Sequence, residues 1–192
     1  MSDKSDNQPL PETLFKQLLA LQSADEAALP PVEKWHPELS GDMDMRIARD
    51  GTWYHEGDPI KRESLVKLFS SILIREGDDY YLKTPVEKWR IQVEDAPFVV
   101  VGVSVENPGS HQALAFTTNV GSTVVLNPEN PLWVHVAAAS GEPAPYIRVR
   151  NNLNGLINRN VYYELAELAV EQELQGASRF GVWSMGGFYP LD

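Results

Sequence analysis

Cysteine does not occur in this 192-residue chain. Disulfides, thiolate catalysis and cysteine-ligated metals are therefore excluded. Positive charge is scarce: 16 Lys and Arg stand against 27 Asp and Glu, a formal net charge of −11. With no basic run, such a chain lacks the cationic face that non-specific nucleic-acid binding needs to displace counterions. Long apolar runs are missing as well. Stretches such as "APFVVVGV" are far too short to span a bilayer, so no membrane insertion is expected. The opening "MSDKSDNQPLPE" is polar and lacks a secretory pattern, which points to a bacterial-type cytoplasm. Among the four histidines, His36, His55, His111 and His135, no two have the i, i+4 spacing of a zincin-type site. Neither a Gly-x-Ser-x-Gly elbow nor a Walker-type phosphate loop is present.

What is there reads as an ordinary globular protein, 43% hydrophobic and 22% charged. Residues 1–10 read as a tail. A helix from Pro11 is expected, with Leu14, Leu18 and Leu21 on one face and Phe15 and Leu19 beside them. Pro30 and Pro31 force extended backbone. Met43, Met45 and Ile47 then alternate with Asp44, Arg46 and Ala48, a half-buried strand. Asp50-Gly51 predicts a hairpin with positive φ at both central positions, and Trp53–His55 returns as its partner strand. Leu65, Leu68, Phe69, Ile72 and Leu73 form a helical stripe that Gly77 would stop. "DDYYLKTPVEKWRIQVED" predicts two strands. After Pro97 come six short strand candidates, from "FVVVGVSVEN" to "GLINR", punctuated by Asn-Pro and Gly. One helix over about Asn160–Leu174 follows, and "FGVWSMGGFYPL" reads as a last docked strand. The fold class is α+β: two related lobes, the second a curled antiparallel sheet closed by one helix. The expected division is 1–30 (tail and helix), 31–96 (first lobe) and 97–192 (second lobe).

Sliding the chain against itself by 97 positions sets Ile60 on Ile157, Arg62 on Arg159 and Glu76 on Glu173. The stripe of Leu65, Leu68 and Phe69 falls on Tyr162, Leu165 and Ala166. Each copy reads as a turn, a short strand, an arginine and a helix. Since any two amphipathic helices share a stripe, the Ile-x-Arg lead-in carries the information.

The stretches "GDMDMRIARDGTWYHEGDPIKRESLVKLF" and "YYLKTPVEKWRIQVEDAPFVVVGV" are distinctive, as are "YIRVRNNLNGLINRNVYYEL" and "GVWSMGGFYPL". Together they resemble the bacterial family called domain of unknown function 1285, over roughly Trp35 to Leu191. The resemblance implies an internal duplication with a pleckstrin-homology-like C-terminal half. It also implies a suggested role in signal transduction, with a nucleotide-like ligand between the halves.

The residues themselves offer few chemical sites. Asp42 and Asp44 would be neutralised by Arg46 on the same strand face, so a surface ion pair is preferred to a metal and no metal is expected. His55, Glu56 and Asp58 read as a solvated turn. Arg148 and Arg150 share a strand face with Tyr146, about 7 Å apart, and could grip a phosphate or carboxylate. The competing reading pairs both with acidic neighbours. Arg62 and Arg159 stand where strand gives way to helix and could bond carbonyls or meet Glu94-Asp95. The preferred reading is a non-enzymatic ligand-binding or regulatory module for a small anion. Arg62, Glu94, Asp95, Arg148, Arg150 and Trp183 are its candidate ligand-binding residues, and no catalytic residue is assigned. The runner-up is an enzyme acting on a phosphorylated or carboxylated metabolite, with His55 and Glu94 or Asp95 as acid–base groups. The third is a protein-interaction scaffold with a protein partner.

The charge balance gives a first expected outcome. At physiological salt the chain shows no measurable affinity for duplex DNA by fluorescence anisotropy. A salt-sensitive, submicromolar signal would overturn this reading.

Overall fold

The computed structural model describes residues 12–14, 16 and 28–192. The chain divides into two compact units, Met1–Glu94 and Asp95–Asp192. Of the expected first helix, residues 12–14 and 16 are helical, and Leu14 is fully buried. Pro11, Phe15, Leu18, Leu19 and Leu21 lie outside the described residues.

The first unit opens with a 3-10 turn, Val32–Lys34, and strands β1 (Gly41–Ile47), β2 (Trp53–His55) and β3 (Asp58–Pro59). Helix α1 (Glu63–Ser71) follows, then β4 (Leu73–Glu76), β5 (Asp79–Lys83) and β6 (Lys88–Val93). The six strands form one sheet in the order β3-β2-β1-β6-β5-β4. Neighbours are antiparallel except β1 and β6, which run parallel. Met45, Ile47, Trp53, Phe69, Leu82 and Ile91 are core residues. The rings of Trp53 and Phe69 stack at 6.1 Å, so α1 is held through its one fully buried aromatic. Burying such a side chain contributes roughly 1.5–3 kcal/mol.

Two local expectations change here. The helical stripe predicts a helix reaching Gly77, but α1 stops at Ser71. Ser70 and Ser71 turn their hydroxyls onto the carbonyls of Lys67 and Leu68. Leu73–Glu76 then extends to pair with β5. Cross-strand pairing and burial of Ile72 and Leu73 override the helical period. At Asp50-Gly51 only the glycine is left-handed, with φ 88°. A turn closed by the Gly51 N–H on the Ala48 carbonyl precedes it, giving a longer loop than the expected two-residue turn.

The second unit has strands β7 (Phe98–Glu106), β8 (Ala113–Thr118), β9 (Thr123–Val125), β10 (Leu132–Val136), β11 (Pro143–Arg150) and β12 (Leu153–Ile157). These are the six expected strands, in the order β10-β11-β12-β7-β8-β9. The sheet is mixed, not wholly antiparallel as expected: β7 and β12 pair in parallel at its centre. Helix α2 (Arg159–Leu168) then buries Val161 and Leu165 in the core. It too is shorter than expected. The remainder of the predicted helix is strand β13 (Val170–Leu174), paired with β14 (Ala177–Ser184) across a tight Gln175-Gly176 turn. The chain ends in β15 (Gly187–Pro190), so the predicted last strand is a hairpin. Val182 and Tyr189 of this three-stranded sheet share one core with Phe116, Leu126, Ile147 and Val161. The Ser184 hydroxyl ties the two sheets: it donates to the Leu126 carbonyl at 2.7 Å and accepts from the Leu114 N–H at 2.9 Å.

Read from its centre outward, each six-stranded sheet is two three-stranded meanders. The first strand of the first meander lies parallel to the last strand of the second. β1–β6 and β7–β12 therefore share one topology. The 97-residue offset does not register it. That offset lays α1, which follows the third strand of its sheet, on α2, which follows the sixth. Arg62 does precede a helix and Arg159 does begin one, but the two helices occupy non-equivalent places. The shared Ile-x-Arg helix entry is thus a local likeness, and the duplicated object is the sheet.

Gly181 tests the packing of the third sheet. A Cβ there would stand 2.7 Å from Phe188 Cζ, 2.9 Å from Pro190 Cα and closer still to the Tyr189 carbonyl. Gly181→Ala is expected to destabilise by at least about 1–3 kcal/mol in urea unfolding. Gly102→Ala, whose Cβ meets only Thr117 Cβ at 3.9 Å, is expected to be neutral to stabilising by at most ~1 kcal/mol. Equal midpoints for the two variants would contradict the packing.

Candidate functional site

The candidate residues fall in two units. The first holds Arg62 and Glu94, the second Asp95, Arg148, Arg150 and Trp183.

In the first unit Arg62 is exposed at the N-cap of α1 and donates from Nε to Ser64 Oγ at 3.1 Å. Glu94 forms an ion pair with Arg46 and accepts the Arg49 N–H at 3.0 Å. It thereby fastens the end of β6 to β1. Arg46 also lies over the Tyr54 ring at 4.3 Å. Its partner is thus Glu94, whereas the sequence pattern assigns it to Asp42 and Asp44. Asp42 instead pairs with Arg90 at 3.2 Å, because the register of β1 on β6 shifts between Asp42 and Arg46. His55 and Asp58 pair across the two-residue turn Glu56-Gly57, so the expected turn is present, with Asp58 exposed and His55 and Glu56 half-buried. His55 alternates along β2 with Tyr54, the residue against which Arg46 packs, so it points away from the Arg46–Glu94 pair. This geometry offers the proposed acid–base pair of His55 and Glu94 no shared site.

The opposite edge of the same sheet carries residues the sequence reading missed. Tyr81 lies between two cations, Lys88 Nζ at 4.4 Å from its ring and the Arg90 guanidinium at 5.8 Å. Lys88 is further paired with Glu76. Lys83, directly opposite Lys88, is buried with only 8% of its surface exposed. Among the described residues, no cluster of three or more His, Asp or Glu side chains could hold a metal ion.

In the second unit the arginine strand is β11. Ile147 and Val149 are buried, Arg148 is exposed, and Tyr146 and Arg150 are half-buried, so the expected alternation is present. A register shift against β12 falls between Arg148 and Arg150. The two arginines have different surroundings. Arg150 lies over the fully buried Phe98 ring, 5.1 Å from its centroid. Burial there pulls its pKa down to about 10, and it remains a cation at neutral pH. The Arg148 side chain makes no hydrogen bond or ion pair with any described residue.

Beside Arg148, Tyr146 donates its hydroxyl to Asp95 Oδ1 at 2.8 Å and stacks on Trp133 at 5.8 Å. The pairing of β10 with β11 sets Trp133 opposite Tyr146. Opposite Arg148 stands Asn154, whose buried Oδ1 has no hydrogen-bond partner. The structure thus gathers Trp133, Tyr146, Arg148 and Asn154 from three strands and Asp95 from the segment before β7. Trp133 and Asn154 are additions to the expected set. The place of Trp133 depends on the register across the loop 137–142 and that of Asn154 on the shifted register across the Asn151-Asn152 turn, neither of which alternation alone fixes. Trp183 lies elsewhere, on β14, packed at 5.4 Å against Phe188 and accepting the Gln112 amide through its carbonyl at 2.8 Å.

No helix of the described residues is long and apolar enough to cross a membrane. Comparison with known proteins places these features in a family. Residues 30–96 match the domain of unknown function (DUF1285), N-terminal domain, and residues 97–191 match the protein of unknown function (DUF1285), C-terminal domain. No curated protein matches the chain. The crystal structure of a DUF1285 family protein from Silicibacter pomeroyi DSS-3 is 50% identical. The match covers 91% of this chain and 93% of that one, with a TM-score of 0.79. A DUF1285 family protein from Shewanella baltica OS155 is 29% identical over 65% of this chain and 91% of that one, with a TM-score of 0.52. The chain belongs to the DUF1285 family.

Proposed function

We propose that the protein is a regulatory module that binds a small anion, with Arg148 as its principal contact. One observation carries this reading. In a chain with 27 carboxylate side chains and 16 basic ones, an exposed guanidinium on a strand would ordinarily be met by a carboxylate. Arg148 has none among the described residues. An arginine fork suits the paired oxygens of a phosphate or carboxylate. The stacked Trp133 and Tyr146 supply an aromatic wall against which a planar ring can lie, which favours a nucleotide-like ligand. Asp95 fixes the Tyr146 hydroxyl, and so the ring's angle. Arg150 contributes positive potential from a partly desolvated position, where a charge is screened less than at the surface. The same reading places the second unit with pleckstrin-homology-like modules: six strands are followed by one helix that enters the core. Signal transduction is the setting such a module suits.

The two arginines separate binding from stability. Arg148→Ala removes an exposed side chain with no hydrogen-bond or ion-pair partner among the described residues and is expected to leave the unfolding free energy within the small range of surface substitutions, about ±0.5 kcal/mol. Arg150→Ala removes the group packed on Phe98 and is expected to cost about 1–2 kcal/mol. In a thermal-shift screen of nucleotides and phosphorylated metabolites, a ligand at a hundredfold over its Kd should stabilise the wild type by about 2.7 kcal/mol. Arg148→Ala should abolish that shift. A screen without a stabilising compound, or a shift that survives Arg148→Ala, would reject the proposal.

A further inference from the structure

The three-stranded sheet has an open edge. Its order is β13-β14-β15, so β13 pairs on one side alone. All five residues of β13, "VEQEL", are exposed. Among the described residues, no backbone hydrogen bond reaches β13 apart from its ladder with β14. Folded proteins guard such edges with charged side chains, lysine above all, with proline, a bulge or a covering segment, because a free row of N–H and C=O groups is a template for another strand. β13 has neither lysine nor proline, its charges are the two glutamates, which repel an acidic strand and not a basic one, and its register on β14 runs unbroken from Val170–Gly181 to Leu174–Ala177. The other edge strand, β15, ends in Pro190 and packs near β10.

The side chains of β13 specify what would pair there. Val170, Gln172 and Leu174 lie on one face, Glu171 and Glu173 on the other. Val170 stands opposite Gly181, the glycine covered by Phe188, and Trp183 is next along that face of β14. Val170 and Leu174 keep 46% and 38% of their surface exposed, and Trp183 keeps 38%. An added strand would therefore meet Val170 and Leu174 on either side of Gln172 on one face, and on the other Glu173 and Glu171, the latter also accepting from the Ser178 hydroxyl. A second copy of this chain does not fit. Two-fold antiparallel pairing of β13 with itself, centred on Glu171, Gln172 or Glu173, sets glutamate opposite glutamate, which is destabilising. A strand with lysine or arginine at every second position and apolar residues between them satisfies both faces. The net charge of −11 would also speed its approach.

We propose that β13 is a docking edge for a basic, extended segment of a partner protein, which adds to the three-stranded sheet as a fourth strand. This rests on the sheet edge and is independent of the anion site at Arg148.

The probe is a short, end-capped peptide of alternating valine and lysine, labelled for anisotropy and added to the full chain. It is expected to bind, to slow amide exchange at residues 170–174, and to bind about tenfold or more weaker to the Glu171→Lys/Glu173→Lys variant. A valine–glutamate peptide should not bind. A valine–lysine peptide N-methylated at alternate residues keeps its charge and loses a row of donors, so it should bind about tenfold or more weaker even if the double variant fails to fold. Absence of binding at physiological salt, undiminished binding of the methylated peptide, or protection confined to other strands would overturn the proposal. So would a concentration-dependent dimer of the chain that protects the same amides.

Discussion

The parallel pairing at the middle of each sheet is the contact on which both units depend. Each sheet is two meanders, and a three-stranded meander becomes stable only when its apolar face is covered. β1 against β6, and β7 against β12, turn two marginal pieces into one surface. Parallel strands cannot be joined by a tight turn, so nearly the whole unit intervenes between each pair. The joint therefore closes a long loop and makes folding of a unit non-local. At β7/β12 the requirement is visible in one residue. Gly155 lies opposite Phe98, and a Cβ there would approach Val149 and Val100 to 3.1 and 3.2 Å. Two valines converge where the strands meet, and a residue without a side chain lets them do so. Arg150 then closes over Phe98 from the end of β11, which is why it is half-buried although both readings of the sequence, anion grip and surface ion pair, place it at the surface.

Strands were the most legible feature because their signals are local. "FVVVGVSVE" and "PYIRVR" have β-branched residues at period two, and Asn-Pro and Gly mark their ends. Helix ends were less so. The stripe of α1 continues through Ile72 and Leu73 at helical spacing, yet those residues serve equally well as the start of β4 once β5 is beside them. "AVEQEL" likewise suits a helix by composition and becomes a strand because the Gln175-Gly176 turn brings β14 back along it. In both cases the partner strand lies just across a two-residue turn, Gly77-Asp78 or Gln175-Gly176, and hairpin pairing overrode a helical spacing that the same residues also satisfy. The parallel pairs were illegible for a different reason: their strands lie nearly a whole unit apart in sequence. So was the true internal likeness, since two sheets can share strand order without sharing residues at a fixed offset.

The candidate site shows the same division between local and distant information. Alternation along β11 was readable, and with it the common face of Tyr146 and Arg148. Trp133, Asn154 and Asp95 come from three other segments, and strand register or a single hydrogen bond brings each to that face. Several other cations on the strands have carboxylate partners. Arg46 takes Glu94, Arg90 takes Asp42, Lys88 takes Glu76 and Arg179 takes Asp192. Several of these join strands distant in sequence, so they act as fasteners whose energy at the surface is small but whose specificity for register is high. In the last of them, the Arg179 hydrogen bond and the Phe180 N–H hold the Asp192 carboxyl below its ordinary range. Among the arginines on strands, Arg46, Arg75, Arg90 and Arg179 each meet a carboxylate, and the exposed Arg148 does not. Its neighbours are an aromatic pair, an amide with an unused oxygen and Asp95, whose carboxylate takes the Tyr146 hydroxyl. The proposed anion site rests on that difference among the strand arginines, because a guanidinium without a counter-charge on its own sheet can take one from outside.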